Sequence, residues 1–277
     1  MPAGPPTWVR DSGWLVGVDR GAVLQAFDER VRRRPEPDGI GGRVETEDHI
    51  VRCIGGPGWI GVLWAQLDEA RADGVIAAEV ERFASASRPW DGKHCSYDRP
   101  ADLPQRLVAA GFRPEPFEAV LAGEIAELPL VVTPPAGVEL RPVTDERSID
   151  ALVAVHEEVF REDATALGAM LRVELTRRPS SVAATVAIAD GRPIAAGRVE
   201  VHRGTEFASL WGACTVRDWR GRGVFRSLVG DAAAHAAAAG TRYLIAEATA
   251  DSRPILRRLG FVELATTTPY VHPGAPG

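Results

Sequence analysis

The sequence predicts an α/β protein with a mixed (α+β) sheet, arranged as two related halves. Three observations lead there: β-type runs alternating with helical periodicity after residue 138, a proline-rich break over 128–137, and a pattern that recurs 149 residues later. The chain has 277 residues, 45% hydrophobic and 25% charged, an ordinary globular composition with length enough for two domains. Pro129, Pro134, Pro135 and Gly137 exclude helix and interior strand from the break. The expected organisation is therefore one domain over 1–127, a linker over 128–137 and a second domain over 138–277.

In the second half a short strand is expected over 138–141, then helices over 148–160 and 165–176. Two β-rich runs, 182–189 and 194–201, flank Asp190-Gly191, a pair that tolerates positive φ and so predicts a hairpin. A strand over 207–216 leads into an Ala-rich helix over 221–239, with Phe225, Leu228, Val229 and Ala232 on its apolar stripe and Gly240 placed to stop it. A buried-type strand follows over 243–248. Asp251 or Ser252 then caps a short helix ending at Gly260, and strands over 261–264 and 267–271 finish the sheet.

The recurrence is ungapped. A spacing of 149 residues relates Arg71-Ala72-Asp73-Gly74 to Arg220-Gly221-Arg222-Gly223, Leu107 to Leu256, Gly111-Phe112 to Gly260-Phe261, and Gly55 to Gly204. Residues from about 45 to 122 thus repeat part of the second fold. Trp8, Trp14, Trp59, Trp64 and Trp90 are available to pack the first half onto the second.

The chemistry concentrates at Arg220-Gly221-Arg222-Gly223-Val224, between a strand and a helix. A helix N-terminus presents unpaired N–H groups and the positive end of the macrodipole, which suits phosphate. Gly221 and Gly223 let the backbone approach a diphosphate, and Arg220 and Arg222 add charge and forked donors. In the first half Ala72 replaces one glycine, and Asp73 sets a negative charge where phosphate would sit, so that copy is expected to have lost the ligand.

Arg220-Gly-Arg-Gly-Val-Phe, after a strand and followed by Leu259-Gly260-Phe261, resembles the GNAT superfamily of N-acetyltransferases over about 134 residues. Arg220 and Gly223 match the first two fixed positions of the family's Arg/Gln-x-x-Gly-x-Gly/Ala loop, whereas Phe225 stands where Gly or Ala is usual. The resemblance implies tandem GNAT-like acyltransferase folds, the N-terminal one degenerate. It implies acetyl-CoA as acyl donor, wedged where two parallel strands splay, with its pyrophosphate on the loop 220–225. Thr215 and Val216 would then pair with the pantetheine arm, and a backbone N–H of one of them would stabilise the oxyanion. The family reaction is direct attack of an amine on the thioester, assisted by a base. Many members carry a tyrosine acid four residues before the Gly-Phe pair, and here that position is Leu256. Tyr270 and Ser252 are the candidate acids, Glu247 and Glu200 the candidate bases. Glu157, Glu158, Glu162 and Asp163 would give the acceptor side an acidic field that favours a cationic amine.

The remaining signals are exclusions. Net charge is −6 with pI about 5.6, which argues against nucleic acid and anionic membranes. No apolar stretch is long enough to span a bilayer, and the start Met1-Pro2-Ala3 lacks the basic and apolar regions of a signal peptide. Cys53, Cys95 and Cys214 are isolated, so reduced thiols, a cytoplasmic location and no metal site are expected. Gly56-Pro57-Gly58-Trp59-Ile60-Gly61 fits GxGxxG, yet Pro57 removes a donor and a strand rather than a helix follows, so a turn is expected there. The expected partner is a small-molecule or peptide amine acting on a monomer or homodimer. The other readings are a CoA-binding regulator without turnover and, disfavoured by the absent GK[ST], a nucleotide-binding protein.

Overall fold

The computed structural model describes residues 19–37, 41–55, 59–85 and 88–274. Trp8, Trp14, the N-terminal start and Gly56, Pro57 and Gly58, where a turn is expected, lie outside the described residues. In chain order the first half contains α1 (Arg20–Phe27), prolonged by a π-helical turn over Asp28–Arg32, then β1 (Arg43–Glu47), β2 (Ile50–Ile54) and β3 (Gly61–Ala65). These are followed by α2 (Ala72–Arg82), β4 (Trp90–Cys95), α3 (Leu103–Ala109), β5 (Arg113–Pro114) and β6 (Glu118–Glu124). The second half contains β7 (Val138–Pro142), α4 (Glu146–Phe160), α5 (Thr165–Arg177), β8 (Val182–Ala189), β9 (Arg192–Val201) and β10 (Phe207–Thr215). It ends with α6 (Val224–Ala238), β11 (Tyr243–Ala248), α7 (Arg253–Arg258) and β12 (Val262–His272).

Local chemistry explains most of these boundaries. The Asp145 side chain accepts from Ser148 N at 2.8 Å while the Ser148 hydroxyl accepts from Asp145 N, a capping box that starts α4 two residues before the expected point. Asp190 and Gly191 have φ of 50° and 77°, as the hairpin between β8 and β9 requires. Gly240, at φ 76°, ends α6 with its N–H on Ala237 O and Thr241 N on Ala236 O. Three expectations change. α6 begins at Val224 rather than Gly221, because Gly221 and Gly223 both take positive φ. Neither Asp251 nor Ser252 caps α7 with its side chain; Ser252 merely precedes the first helical residue. The two terminal strands are one, β12, with a bulge between Glu263 and Ala265.

All the strands join a single sheet in the order β1-β2-β3-β4-β12-β6-β11-β10-β9-β8-β7, with β5 paired to β12. This order interleaves the halves. β6, from the first half, runs antiparallel to β11, with Glu247 opposite Val120. β12, from the second half, runs antiparallel to β4, with Thr267 opposite Cys95. Each half therefore closes the sheet of the other. The 149-residue spacing carries β5 and β6 onto the two portions of β12, and Glu118 pairs with Thr267, its own repeat partner. A pseudo-twofold axis passes through that pair. Gly111 and Gly260, with φ of 97° and 101°, make the equivalent turns ahead of the exchanged strands, and Phe112 and Phe261 are buried behind them.

Alternation along β6 and β11 assigns the helices to faces. Val120, Ala122 and Ile245 meet Val23 and Phe27 of α1 and Val31 of the π-turn. Ala119, Leu121, Leu244 and Ala246 meet Val229, Ala232 and Ala236 of α6 and Leu256 of α7. Residues 128–137 form neither helix nor strand but are seated on α6: a Cβ on Gly230 would come within 2.6 Å of Val132 Cγ2. No helix among the described residues is long and apolar enough to cross a membrane.

Candidate active site

β10 and β11 run parallel from the pair Phe207–Tyr243 to the pair Leu210–Ala246 and then part. The cause lies in β10. Between Trp211 and Cys214 its register against β9 shifts, with Gly212 at φ 57°. The α4 residue His156 presses on this bulge, where a Cβ on Gly212 would come within 2.5 Å of the imidazole Cε1. Burial and the nearby Arg198 push His156 down to about 4. The gap opens a cleft whose walls include Gly212, Thr215, Arg220, Gly223, Ser252 and Leu256.

The cleft has the shape and donors for a phosphorylated, extended ligand. Gly223, at φ 89°, precedes α6 without a side-chain cap, and the first helical bond runs from Ser227 N to Gly223 O at 3.2 Å. The N–H groups of Val224, Phe225 and Arg226 thus precede any intrahelical partner. Arg222 lies over the Trp219 ring at 4.8 Å. Phe225 is half-buried against the cluster containing Leu256, so its ring walls the cleft rather than filling the loop.

Thr215 and Val216 part company. Val216 N donates to Ile194 O at 2.9 Å and its side chain is buried, so its amide is already used on the β9 side and is not free for a ligand. By alternation the backbone of Thr215 turns toward the cleft, where Arg220 Nε donates to its carbonyl at 3.0 Å. The buried Thr215 hydroxyl has no hydrogen-bond partner. An orphaned polar atom in such a place is costly unless a ligand satisfies it, so the donor set fits an acyl-CoA.

Glu247 is the first β11 residue beyond the parting point, and it also lines a second chamber, on the α1 face. That chamber is built by both halves, from Phe27, Trp59 and Lys93 on one side and Arg198, His202 and Trp211 on the other. Glu247 forms an ion pair with Lys93 of β4, whose ammonium also sits 5.2 Å from the Trp211 ring centroid. Burial works against the charge on Lys93, but Glu247 and Glu118 outweigh it and hold the ammonium above the usual lysine value. The buried Trp211 Nε1 has no partner. Burial pushes His202 down to about 4, and its Nε2 lies 2.7 Å from Ser209 Oγ.

The remaining candidates fall elsewhere. Tyr270 does not line the cleft: its portion of β12 is inserted beside β4, opposite Gly92, within the core of the first half. Ser252 does line it, with its hydroxyl 3.3 Å from Thr249 Oγ1. Glu200 borders the chamber but pairs with Arg178 at 3.2 Å. Glu157, Glu158, Glu162 and Asp163 are exposed and line neither cavity, and Glu158 is bound to Arg192 at 2.7 Å. Among the described residues no group of His, Cys, Asp or Glu could hold a metal ion. Lys93, Glu118, Trp211 and His156 were not singled out in the sequence. The repeat register bears on Glu118, because it sets that residue on the copy of the final strand.

In the first half the corresponding cleft is reduced to a small apolar cavity walled by Val62, Ile76, Trp90, Leu103 and Leu107. β3 and β4 pair at Gly61–Asp91 and Val62–Gly92 and then part, as β10 and β11 do. Into this gap the π-turn inserts Arg32, whose Nη2 donates to Leu63 O at 3.1 Å and to Lys93 O at 3.4 Å. Asp98 pairs with the same guanidinium at 3.0 Å, and Tyr97 and Asp28 complete the cluster. Beyond the two strands, Gln66 and Arg99 form an isolated parallel bridge. Asp73 itself is exposed and bound to Arg106 at 2.9 Å.

Residues 147–261 match the model of the Acetyltransferase (GNAT) family. Similarity of fold extends beyond it. A GCN5-related N-acetyltransferase from Kribbella flavida aligns with a TM-score of 0.65 at 20% identity, over 92% of this chain and 95% of its own. One from Sphaerobacter thermophilus gives 0.57 at 18% identity, over 84% and 83%. A tandem GNAT protein from the clavulanic acid biosynthesis pathway gives 0.59 at 14% identity, over 93% and 95%. The chain thus shares the fold of GNAT proteins, tandem ones among them. No curated protein matches its sequence.

Proposed function

We propose that the chain is an acyl-CoA-dependent N-acyltransferase that moves an acyl group, acetyl first among them, to the primary amine of a small molecule or peptide. The observation that carries this is the position of Glu247, where a cleft fitted to an extended phosphorylated ligand meets a separate chamber. The α6 N-terminus, Gly221, Gly223 and the two arginines would hold the diphosphate, and Thr215 the pantetheine arm. The bound donor would supply the activated acyl group. Glu247 faces the chamber and takes the proton from the acceptor nitrogen, oriented by Lys93 from the other half. Cys214 lines the cleft, but burial pushes it up to about 12, which keeps it a thiol and favours direct attack over a cysteine-borne acyl group.

Thermal shift with acetyl-CoA tests the reading. Saturation at about 100 times Kd stabilises the fold by roughly 2.7 kcal/mol. Gly223→Trp abolishes the shift, and Asp73→Arg leaves it intact. No shift with any acyl-CoA would remove the proposal. The hydrocarbon of Leu256 at the position of the family's acid favours a second reading, a CoA-binding protein without turnover. Binding without thiol release across a panel of amines would select it.

A further inference from the structure

The exchanged strand β6 delivers a residue to the cleft that the second half does not itself encode. Glu118 lines the cofactor cleft, and the register of β6 against β11 sets it one step beyond Val120–Glu247 and Ala119–Ala248, level with the open end of β11. Residues 118 and 120 share a face, so Glu118 and Glu247 are neighbours on the same side of the sheet. No ion pair or hydrogen bond commits the Glu118 carboxyl among the described contacts, whereas Glu247 is paired with Lys93. Leu256 leaves the usual acid position without a proton.

We propose that Glu118 is the catalytic acid of the acyl transfer, giving its carboxyl proton to the departing sulfur while Glu247 takes the proton of the acceptor nitrogen. The inference rests on the acyltransferase reading above. With a neutral amine the step balances: a bond forms between nitrogen and the acyl carbon, and the carbon–sulfur bond breaks with its electron pair on sulfur. One proton moves from nitrogen to Glu247 and one from Glu118 to sulfur. Return of a proton from Glu247 to its neighbour Glu118 resets the pair.

The surroundings divide the two carboxyls between these roles. Burial first, and then the charge of Glu247, raise Glu118 above the ordinary glutamate value against the pull of Lys93. Other titratable groups around it are Cys95 on β4, opposite Thr267, and, in the same cleft, Asp251 before α7 and Arg258 at its last position. Two carboxyls whose environments differ in this way are suited to act as acid and base.

The test has two arms. In a carbon-13 NMR titration of the full chain labelled at glutamate carboxyls, Glu118 keeps its proton at a pH where a free glutamate has lost it. Glu247→Gln lowers that midpoint. In a thiol-release assay with ethylenediamine as amine, Glu118→Gln slows acetyl-CoA consumption by about 100-fold or more. It barely affects phenyl thioacetate, whose acidic thiol leaves without protonation. Glu118→Asp keeps a carboxyl and retains the discrimination in milder form. A Glu118 that titrates as a free glutamate, or an equal loss with both donors, overturns the proposal. The acetyl-CoA thermal shift is unchanged in Glu118→Gln; its absence in the unaltered chain would instead sink the acyltransferase reading.

Discussion

At Gly223 the backbone conformation and the proposed ligand make the same demand. With φ at 89°, an L-residue there is strained by about 1–2 kcal/mol, although a Cβ would meet only Pro135 Cγ, at 3.8 Å. Gly223→Ala is expected to weaken acetyl-CoA about tenfold by calorimetry while leaving the rest of the fold intact. Such a glycine is legible in sequence because its role is local. Lys93 and Glu118 were not, since Glu118 arrives on the exchanged strand β6 and Lys93 reaches Glu247 from β4 of the other half. Val216 was misjudged for a related reason: which residue of β10 faces the cleft depends on its register with β9, and a bulge sets that register.

Two half-buried histidines, His156 and His202, give a pH prediction. Each is pushed down to about 4 in the fold, so the unfolded chain, near 6.5, binds the proton first. Stability is therefore lost as pH falls from about 6.5 toward 4, by up to a few kcal/mol. Asp91, pushed up to about 6 mainly by its burial, runs in the opposite direction. The comparison is accordingly made on His202→Asn, whose urea midpoint should depend less on pH between 7 and 5 than that of the unaltered chain. An unchanged dependence would mean that His202 titrates normally.

Among the elements, the π-turn after α1 spans the gap between β3 and β4 and narrows the first copy of the cleft. Arg32 is tied to Asp98 and Asp28 with both side chains largely withdrawn from water, and removing one partner of such a pair costs about 3–5 kcal/mol. Arg32→Leu should lower the denaturant midpoint accordingly. It should not create a second acetyl-CoA site, because the Gln66–Arg99 bridge still ties together the segments that follow β3 and β4. Most elements of the second half were readable from periodicity and punctuation: the Asp190-Gly191 hairpin, Gly240 at the end of α6 and the strand at Tyr243–Ala248. The plug was not, because nothing in the local pattern around Arg32 announces a guanidinium spanning two strands.

At the scale of the molecule, the repeat spacing revealed two copies of one fold but not how they are joined. Because β6 completes the second half and β12 the first, neither half has a whole sheet alone. Calorimetry should show one cooperative transition rather than two. Residues 138–277 expressed alone should expose the β11 edge and aggregate, and a peptide covering 113–127 should partly rescue them. Two separated transitions, or a soluble monomeric second half, would contradict the exchange. The arrangement also gives the first copy a part in the second: it supplies Lys93, Glu118 and one wall of the chamber on the α1 face.

Hydrogen exchange with and without acetyl-CoA is the most direct measurement of whether one cleft, in the second half, takes the acyl donor. Protection is expected over 215–226 and at the ends of β10 and β11, with no change around Leu67 to Gly74. Protection in the first-half loop instead, or in both, would contradict it.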